Sequence, residues 1–67
     1  MSNLIRKKTV LQRCAMSNST LYRMIESGDF PPPVQVSKRS VAWVEHEIDE
    51  WIQQRMEFSR VKGELIK

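Results

Sequence analysis

The chain has 67 residues, 40% of them hydrophobic and 28% charged, and its formal net charge is +3. This length indicates one small domain, and the hydrophobic fraction excludes a disordered chain. A membrane span is excluded because the longest apolar run covers only Val41–Val44. With one cysteine, Cys14, and one histidine, His46, the sequence offers neither a disulfide nor a Cys/His metal site. We therefore expect no metal, no cofactor and a reducing, cytoplasmic location.

The N-terminal part of the chain predicts a short strand and a first helix. The apolar pair within Asn3–Arg6 has polar neighbours on both sides, which indicates an edge strand or an ordered arm. Over about Lys8–Ala15, the residues Val10, Leu11 and Cys14 fall at i, i+1 and i+4 and give a narrow apolar face. No strong N-cap precedes this helix, so the sequence does not fix where it starts.

The second helix is the best defined element. Ser17 is a suitable N-cap and Gly28 a suitable left-handed terminator, so the helix is predicted over about Asn18–Ser27. Its core-facing stripe has i, i+3, i+4 spacing and consists of Leu21, Met24 and Ile25. The residues that face away from the stripe or border it are Ser19, Thr20, Tyr22 and Arg23. The short connection, Ala15–Ser17, predicts either a helix-turn-helix or a plain αα-hairpin.

A hairpin with a basic tip is predicted next. Pro31–Pro33 cannot continue a helix. After them Val34 and Val36 alternate with polar residues, and the stretch around Trp43 provides the return strand, with the turn at Lys38-Arg39. An isolated hairpin is marginal in water, so this hairpin must pack against another element, which we expect to be the next helix.

The last predicted helix runs from Glu45 to about Arg60, with Ile48, Trp51 and Ile52 on one face. Four acidic residues fall in its first two turns, where the helix dipole favours negative charge. We expect this helix to support the fold from behind, with Trp43 and Trp51 in the core. The sequence thus predicts one domain over residues 1–60 and a frayed tail over 61–67.

The charges are unevenly distributed along the chain. Residues 1–39 hold seven basic and two acidic residues, a balance of +5, whereas residues 40–67 hold four basic and six acidic residues, a balance of −2. Such a split indicates that a polyanion docks on one side of the molecule. No nucleophile–base pair or carboxylate dyad is evident, so an enzyme is not expected.

An ordered set of segments resembles the AlpA family of phage and prophage transcriptional regulators: Met16–Ile25, Gly28–Pro31, Trp43 and Glu47–Ile52. The resemblance covers about Leu4 to Arg60. It implies a fold related to excisionases and to the DNA-binding half of MerR-like regulators: a winged helix-turn-helix, mainly α with a small β-hairpin, whose second helix enters the major groove of double-stranded DNA.

The start of the second helix departs from the family pattern at two places. The family usually has Leu-Ser-Arg-Ser-Thr where this chain has Met16-Ser17-Asn18-Ser19-Thr20, so Asn18 replaces a common arginine. The Thr-Gly that usually precedes it is Cys14-Ala15 here. Because asparagine can bond an adenine edge through two hydrogen bonds, the preferred DNA sequence is expected to differ.

Specificity is expected from the second helix, and affinity from basic residues that neutralise phosphates. The candidate DNA-binding residues are Ser17, Asn18, Ser19, Thr20, Tyr22 and Arg23 on the second helix, Lys38 and Arg39 on the wing, and Lys8 on the first helix. Arg6 and Lys7 are further candidates beside Lys8. Several have an alternative structural interpretation: Ser17 as a cap alone, Tyr22 as a cover for the core edge, and Arg23, Lys38 and Arg39 as solvated surface charges.

The sequence leaves the kind of regulation open. A transcriptional regulator and an architectural excisionase that bends attachment-site DNA use the same module, and an excisionase would have an integrase as its partner. Because a module of this size covers few base pairs, further copies on adjacent sites are also expected, with a nucleoid-associated location. A third alternative is a protein-interaction module, favoured by the acidic second half and by an apolar tail with Val61, Leu65 and Ile66.

Overall fold

A computed structural model describes the backbone of residues 3–62 and the side chains of residues 3–60. The elements in chain order are β1 Leu4–Ile5, α1 Lys7–Cys14, α2 Asn18–Ser27, β2 Val34–Ser37, β3 Ser40–Val44 and α3 Glu45–Lys62. The fold is the predicted winged helix-turn-helix, mainly α with a small β-hairpin. Helix α3 continues two residues beyond its predicted end, and residues 63–67 of the predicted tail lie outside the described residues.

The sheet has three antiparallel strands in the order β1-β3-β2. The apolar pair near the N-terminus is the edge strand β1, with Leu4 opposite Val44, and the amide of Glu45 extends this pairing by donating to the carbonyl of Asn3 at 2.7 Å. The other edge is β2, whose register against β3 shifts between Gln35 and Ser37. The hairpin therefore gains a third strand from the chain start as well as packing against helices.

Both ends of the turn between α1 and α2 are defined by caps. Ala15 ends α1 in the left-handed region, with φ 55° and ψ 47°, and its amide donates to the carbonyl of Leu11. Ser17 is the N-cap of α2, as predicted. At the other end of α2, Gly28 has φ 83° and its amide donates to the carbonyls of Ile25 and Met24, as a left-handed helix terminator should.

One buried cluster holds the helices and the sheet together. Its members are almost inaccessible to solvent: Val10, Leu21, Phe30, Trp43 and Ile48. They come from α1, α2, the connection after α2, β3 and α3 respectively, so each long element contributes a side chain. Partly buried apolar residues surround the cluster, including Cys14 and Trp51. Trp43 is therefore in the core as predicted, whereas Trp51 lies at its edge.

The two indole groups fasten the connection between α2 and β2. Trp43 Nε1 donates to the carbonyl of Pro31 at 3.0 Å, and Trp51 Nε1 donates to the carbonyl of Asp29 at 2.7 Å. Phe30, between those two carbonyls in the chain, packs edge-on against the Trp51 ring at a centroid distance of 4.8 Å. These hydrogen bonds satisfy the carbonyls of Asp29 and Pro31, which lie outside the helices and the sheet.

Candidate nucleic-acid interface

The exposed face of α2 follows from its buried stripe. Leu21 is fully buried, and Met24 and Ile25 are partly buried, so the opposite side of the helix is turned to solvent. The exposed residues of its first half are Asn18, Ser19, Tyr22 and Arg23. No acidic residue lies between Asn18 and Arg23. The first half of α2 therefore presents amide, hydroxyl, phenol and guanidinium groups, and the first carboxylate on this helix is Glu26, in its second half.

The hydroxyl of Ser17 is engaged with Thr20. Ser17 Oγ accepts from the backbone amide of Thr20 at 3.2 Å and lies 2.9 Å from Thr20 Oγ1, to which it donates. This is the N-cap geometry, in which one otherwise unpaired amide of the first turn is satisfied. Thr20 itself is half-buried, so its side chain is less available than those of the exposed residues around it.

Tyr22 is in contact with the start of α1. Its ring lies under the ammonium of Lys7, with Nζ 5.2 Å from the ring centroid, and Lys7 Nζ donates to the Tyr22 hydroxyl at 3.4 Å. Tyr22 remains 46% exposed, so a large part of its side chain is accessible to solvent. Lys8 is exposed and makes no hydrogen bond or ion pair within the described part of the chain.

The tip of the wing presents two cations. Lys38 and Arg39 form the turn between β2 and β3 and are both exposed, as predicted. The turn is held by polar contacts: the hydroxyls of Ser37 and Ser40 are 2.7 Å apart, and Gln35 Nε2 donates to the carbonyl of Lys38 at 3.4 Å. Neither cation pairs with a carboxylate among residues 3–60.

Arg13 does not contribute a free cation to this side of the molecule. Its guanidinium binds two carboxylates of α3: Nη1 lies 3.2 Å from Glu45 Oε2, and Nη2 bonds Asp49 Oδ1. The charge count of residues 1–39 includes Arg13, but tertiary packing places this residue against the acidic start of α3, where two carboxylates pair with it. On the same helix, His46 is exposed, and its Nε2 lies 3.2 Å from Glu50 Oε2.

The candidate residues form two groups, one around α2 and one at the wing tip. The described contacts connect Ser17 with Thr20 and Lys7 with Tyr22, and no hydrogen bond or ion pair within residues 3–60 links the wing tip to α2. Sequence reasoning named Lys8 ahead of Lys7. The sequence places both lysines near the start of α1, and only the phase of α1 shows that Lys7 reaches the Tyr22 ring.

One groove on the surface is lined by residues other than the candidate DNA-binding residues. It has a volume of about 380 Å³, and Gly28, Asp29, Trp51 and Arg55 are among its lining residues.

Within the described residues there is no group of three or more His, Cys, Asp or Glu side chains placed to hold a metal ion. Burial raises the pKa of the Cys14 thiol above its ordinary value, and the nearby positive charge of Arg13 acts in the opposite sense.

No helix in the described part of the chain has the length and apolar character needed to cross a membrane.

A helix pair with an exposed second helix, followed by a small sheet with a basic tip, defines a winged helix-turn-helix protein, a class whose second helix commonly lies in the major groove of DNA. The particular family is the AlpA family: the family model described as "Prophage CP4-57 regulatory protein (AlpA)" matches residues 3–56, and the chain belongs to it. The resemblance found in the sequence is thereby confirmed.

Two relatives show how far the similarity extends. An uncharacterized protein of Enterobacteria phage P4, ORF88, is 36% identical over 52 residues, which cover 78% of this chain and 59% of that protein. The DNA-binding transcriptional activator AlpA of Escherichia coli (strain K12) is 33% identical over 58 residues, which cover 78% of this chain and 83% of the activator. The chain therefore spans somewhat more than half the length of the phage protein and most of the bacterial one.

Proposed function

We propose that the protein is a sequence-specific DNA-binding transcriptional regulator of phage or prophage type. One observation carries this proposal: the first half of α2 is exposed, free of acidic residues, and flanked by a lysine of α1. Membership in a family of prophage regulatory proteins supports it, as does the name of the Escherichia coli relative. In the proposed complex, α2 lies in the major groove and the wing tip contacts the backbone or the minor groove.

The exposed residues of α2 suggest which groups read bases. Asn18 occupies the first turn, where side chains reach base edges, and its amide can make two hydrogen bonds to adenine. Ser19 is exposed on the same turn, and Arg23 lies one turn further on. Thr20 is half-buried and Ser17 caps the helix, so we assign these two mainly to holding the helix start in shape.

The cations supply affinity. Lys8, Arg23, Lys38 and Arg39 are exposed, and none of them pairs with a carboxylate within residues 3–60. If about four to six phosphates are neutralised, the logarithm of the binding constant should fall against the logarithm of salt concentration with a slope of roughly −4 to −5. The Ser19 hydroxyl and the backbone amides at the start of α2 add contacts that position the protein without carrying sequence information.

A module of this size covers few base pairs, so we also propose that several copies occupy adjacent sites. Band stoichiometry on DNA fragments with one or two selected sites tests this point. An excisionase role, with an integrase as partner, stays a prediction from the sequence. A DNA-bending assay with and without an integrase distinguishes an excisionase from a regulator that binds an operator.

The decisive experiment is binding selection from random DNA, followed by retardation assays of variants on the selected site. Arg23→Ala should weaken binding on all sequences and flatten the salt slope by about one if Arg23 contacts phosphate, and Arg39→Ala should do the same for the wing. Asn18→Ala should instead change the preference at one base pair, worth about 1–3 kcal/mol of discrimination.

Arg60→Ala is the matched control, because Arg60 is an exposed arginine near the end of α3, remote from α2 in the chain. If Arg23→Ala and Arg39→Ala bind as Arg60→Ala does, the proposed docking face is wrong. If the unaltered protein retards no DNA even at low salt, the proposed function itself is wrong.

A further inference from the structure

We propose that Lys7 and Tyr22 form a two-donor site for a DNA phosphate, in which Tyr22 is the positioning residue for the Lys7 ammonium. This inference rests on the proposed function, and it assigns to Lys7 a phosphate contact for which the sequence offered Arg6, Lys7 or Lys8. It also gives Tyr22 a role other than base recognition. The ligand is a phosphodiester of the DNA backbone next to the groove that α2 occupies.

The first argument is the phase of α1. Lys7 and Lys8 are neighbours on this helix, so their side chains leave it about 100° apart. Lys7 is half-buried and lies over the Tyr22 ring, whereas Lys8 is exposed and has no described contact with α2. Only Lys7 therefore has its charge held beside the exposed face of α2.

The second argument is the hydrogen-bonding capacity of the pair. Lys7 Nζ uses one N–H group to donate a hydrogen bond to the Tyr22 hydroxyl oxygen, at 3.4 Å. An ammonium has three donors, so two remain, and the phenol keeps its own O–H proton because its oxygen is the acceptor in this contact. The arrangement thus offers an ammonium donor and a hydroxyl donor side by side, which suits the paired anionic oxygens of a phosphodiester.

The third argument concerns entropy. A free lysine side chain samples many rotamers, and a contact that orders it on binding costs free energy. The ring under Lys7, with Nζ 5.2 Å from its centroid, already restrains the ammonium before DNA arrives. Preorganisation of this kind increases affinity without adding a contact. Tyr22 should therefore influence binding mainly through Lys7.

The test is a double-mutant cycle in retardation assays over a range of salt concentrations. Lys7→Gln should weaken binding about eightfold at 0.1 M salt and flatten the salt slope by about 0.9, as expected for one lost phosphate contact. In a Tyr22→Leu background the same change should weaken binding by less than about threefold, because the ammonium is no longer positioned. Lys7→Arg, which keeps the charge and the ring contact, should retain most of the affinity and the salt slope.

Lys8→Gln is the matched control, since it removes the same charge from the adjacent position. Whatever its size, the loss of DNA affinity caused by Lys8→Gln should be the same in the Tyr22 protein and in the Tyr22→Leu variant. The inference is overturned if Lys7→Gln has equal effects in both backgrounds, or if Lys8→Gln is the change that couples to Tyr22. Thermal melts of each variant check folding, and Tyr22→Gln replaces Tyr22→Leu if the latter is not folded.

The outcomes separate this inference from the proposed function. If Arg23→Ala weakens DNA binding while the Lys7 cycle shows no coupling, the protein binds DNA but the Lys7–Tyr22 site is wrong. If the unaltered protein binds no DNA, both fail together.

Discussion

Replacing Ser17 with alanine separates the cap of α2 from a contact to DNA. The Ser17 hydroxyl accepts from the Thr20 amide at 3.2 Å and donates to the Thr20 hydroxyl at 2.9 Å, so both of its functions in the free protein are internal. Removing an N-cap of this kind costs about 1 kcal/mol of folding free energy. For a domain of this length the melting temperature should fall by roughly 4–8 °C.

The same change should hardly affect DNA binding. A domain of this length has a stability of roughly 3–10 kcal/mol, so even at the lower limit the variant stays about 97% folded at 25 °C. The start of α2 then keeps its shape in almost every molecule. If instead the hydroxyl donates to a phosphate, its loss should cost about 1.5–3 kcal/mol of binding free energy, which is more than about tenfold in affinity.

Circular dichroism melts and gel retardation at fixed salt measure the two quantities separately. Ser19→Ala is the matched control, because Ser19 is exposed two positions further along and makes no described hydrogen bond. It should leave the melting temperature nearly unchanged, and its effect on affinity shows what an exposed hydroxyl on this turn contributes. Ser17→Asp keeps the acceptor of the cap and should restore the melting temperature. A tenfold loss of affinity in Ser17→Ala with an unchanged melting temperature would refute the assignment of Ser17 as a cap.

Three further changes test other parts of the structure. Ala15 and Gly28 both have left-handed backbone, which glycine adopts more readily than alanine. In urea titrations, Ala15→Gly should therefore raise the free energy of unfolding by about 0.5–1 kcal/mol, and Gly28→Ala should lower it by about 1 kcal/mol. Arg13→Ala should destabilise the fold by about 0.5–1 kcal/mol, with a loss that shrinks in salt, because it breaks partly exposed ion pairs to α3. Because its pKa is raised, folded Cys14 holds its thiol proton more tightly than the unfolded chain does, so stability falls as pH rises above the ordinary value of 9.0. Denaturant titrations between about pH 8 and pH 10 should show this loss, and Cys14→Ala should remove it.

The features predicted correctly from the sequence are those that depend on neighbours in the chain. Ser17 and Gly28 bound α2 as expected because a cap is a local arrangement of backbone and one side chain. The sequence predicts the start of α1 one residue late, because its N-cap, Arg6, makes no side-chain capping hydrogen bond and so leaves no signal.

The features that sequence patterns missed depend on contacts between distant segments. The charge balance of the sequence includes Arg13 with the other cations, because nothing near it in the chain shows that α3 brings Glu45 and Asp49 to it. Phe30 lies in an irregular connection, where no helical or strand period marks a buried side chain, yet it is 4% exposed. The choice between Lys7 and Lys8 required the rotation of α1 against α2, which composition and spacing do not contain.

The placement of the two tryptophans has a practical consequence for optical spectroscopy. Trp43 is fully buried and Trp51 is partly buried, and each indole N–H is bonded to a backbone carbonyl in the connection after α2, so neither ring belongs to the proposed DNA-binding face. The single tyrosine, Tyr22, lies on that face. Tryptophan emission should therefore shift to longer wavelength when the protein unfolds and stay nearly constant while DNA is added. The tryptophan emission wavelength, recorded during a DNA titration, then shows whether a variant that fails to bind DNA is still folded.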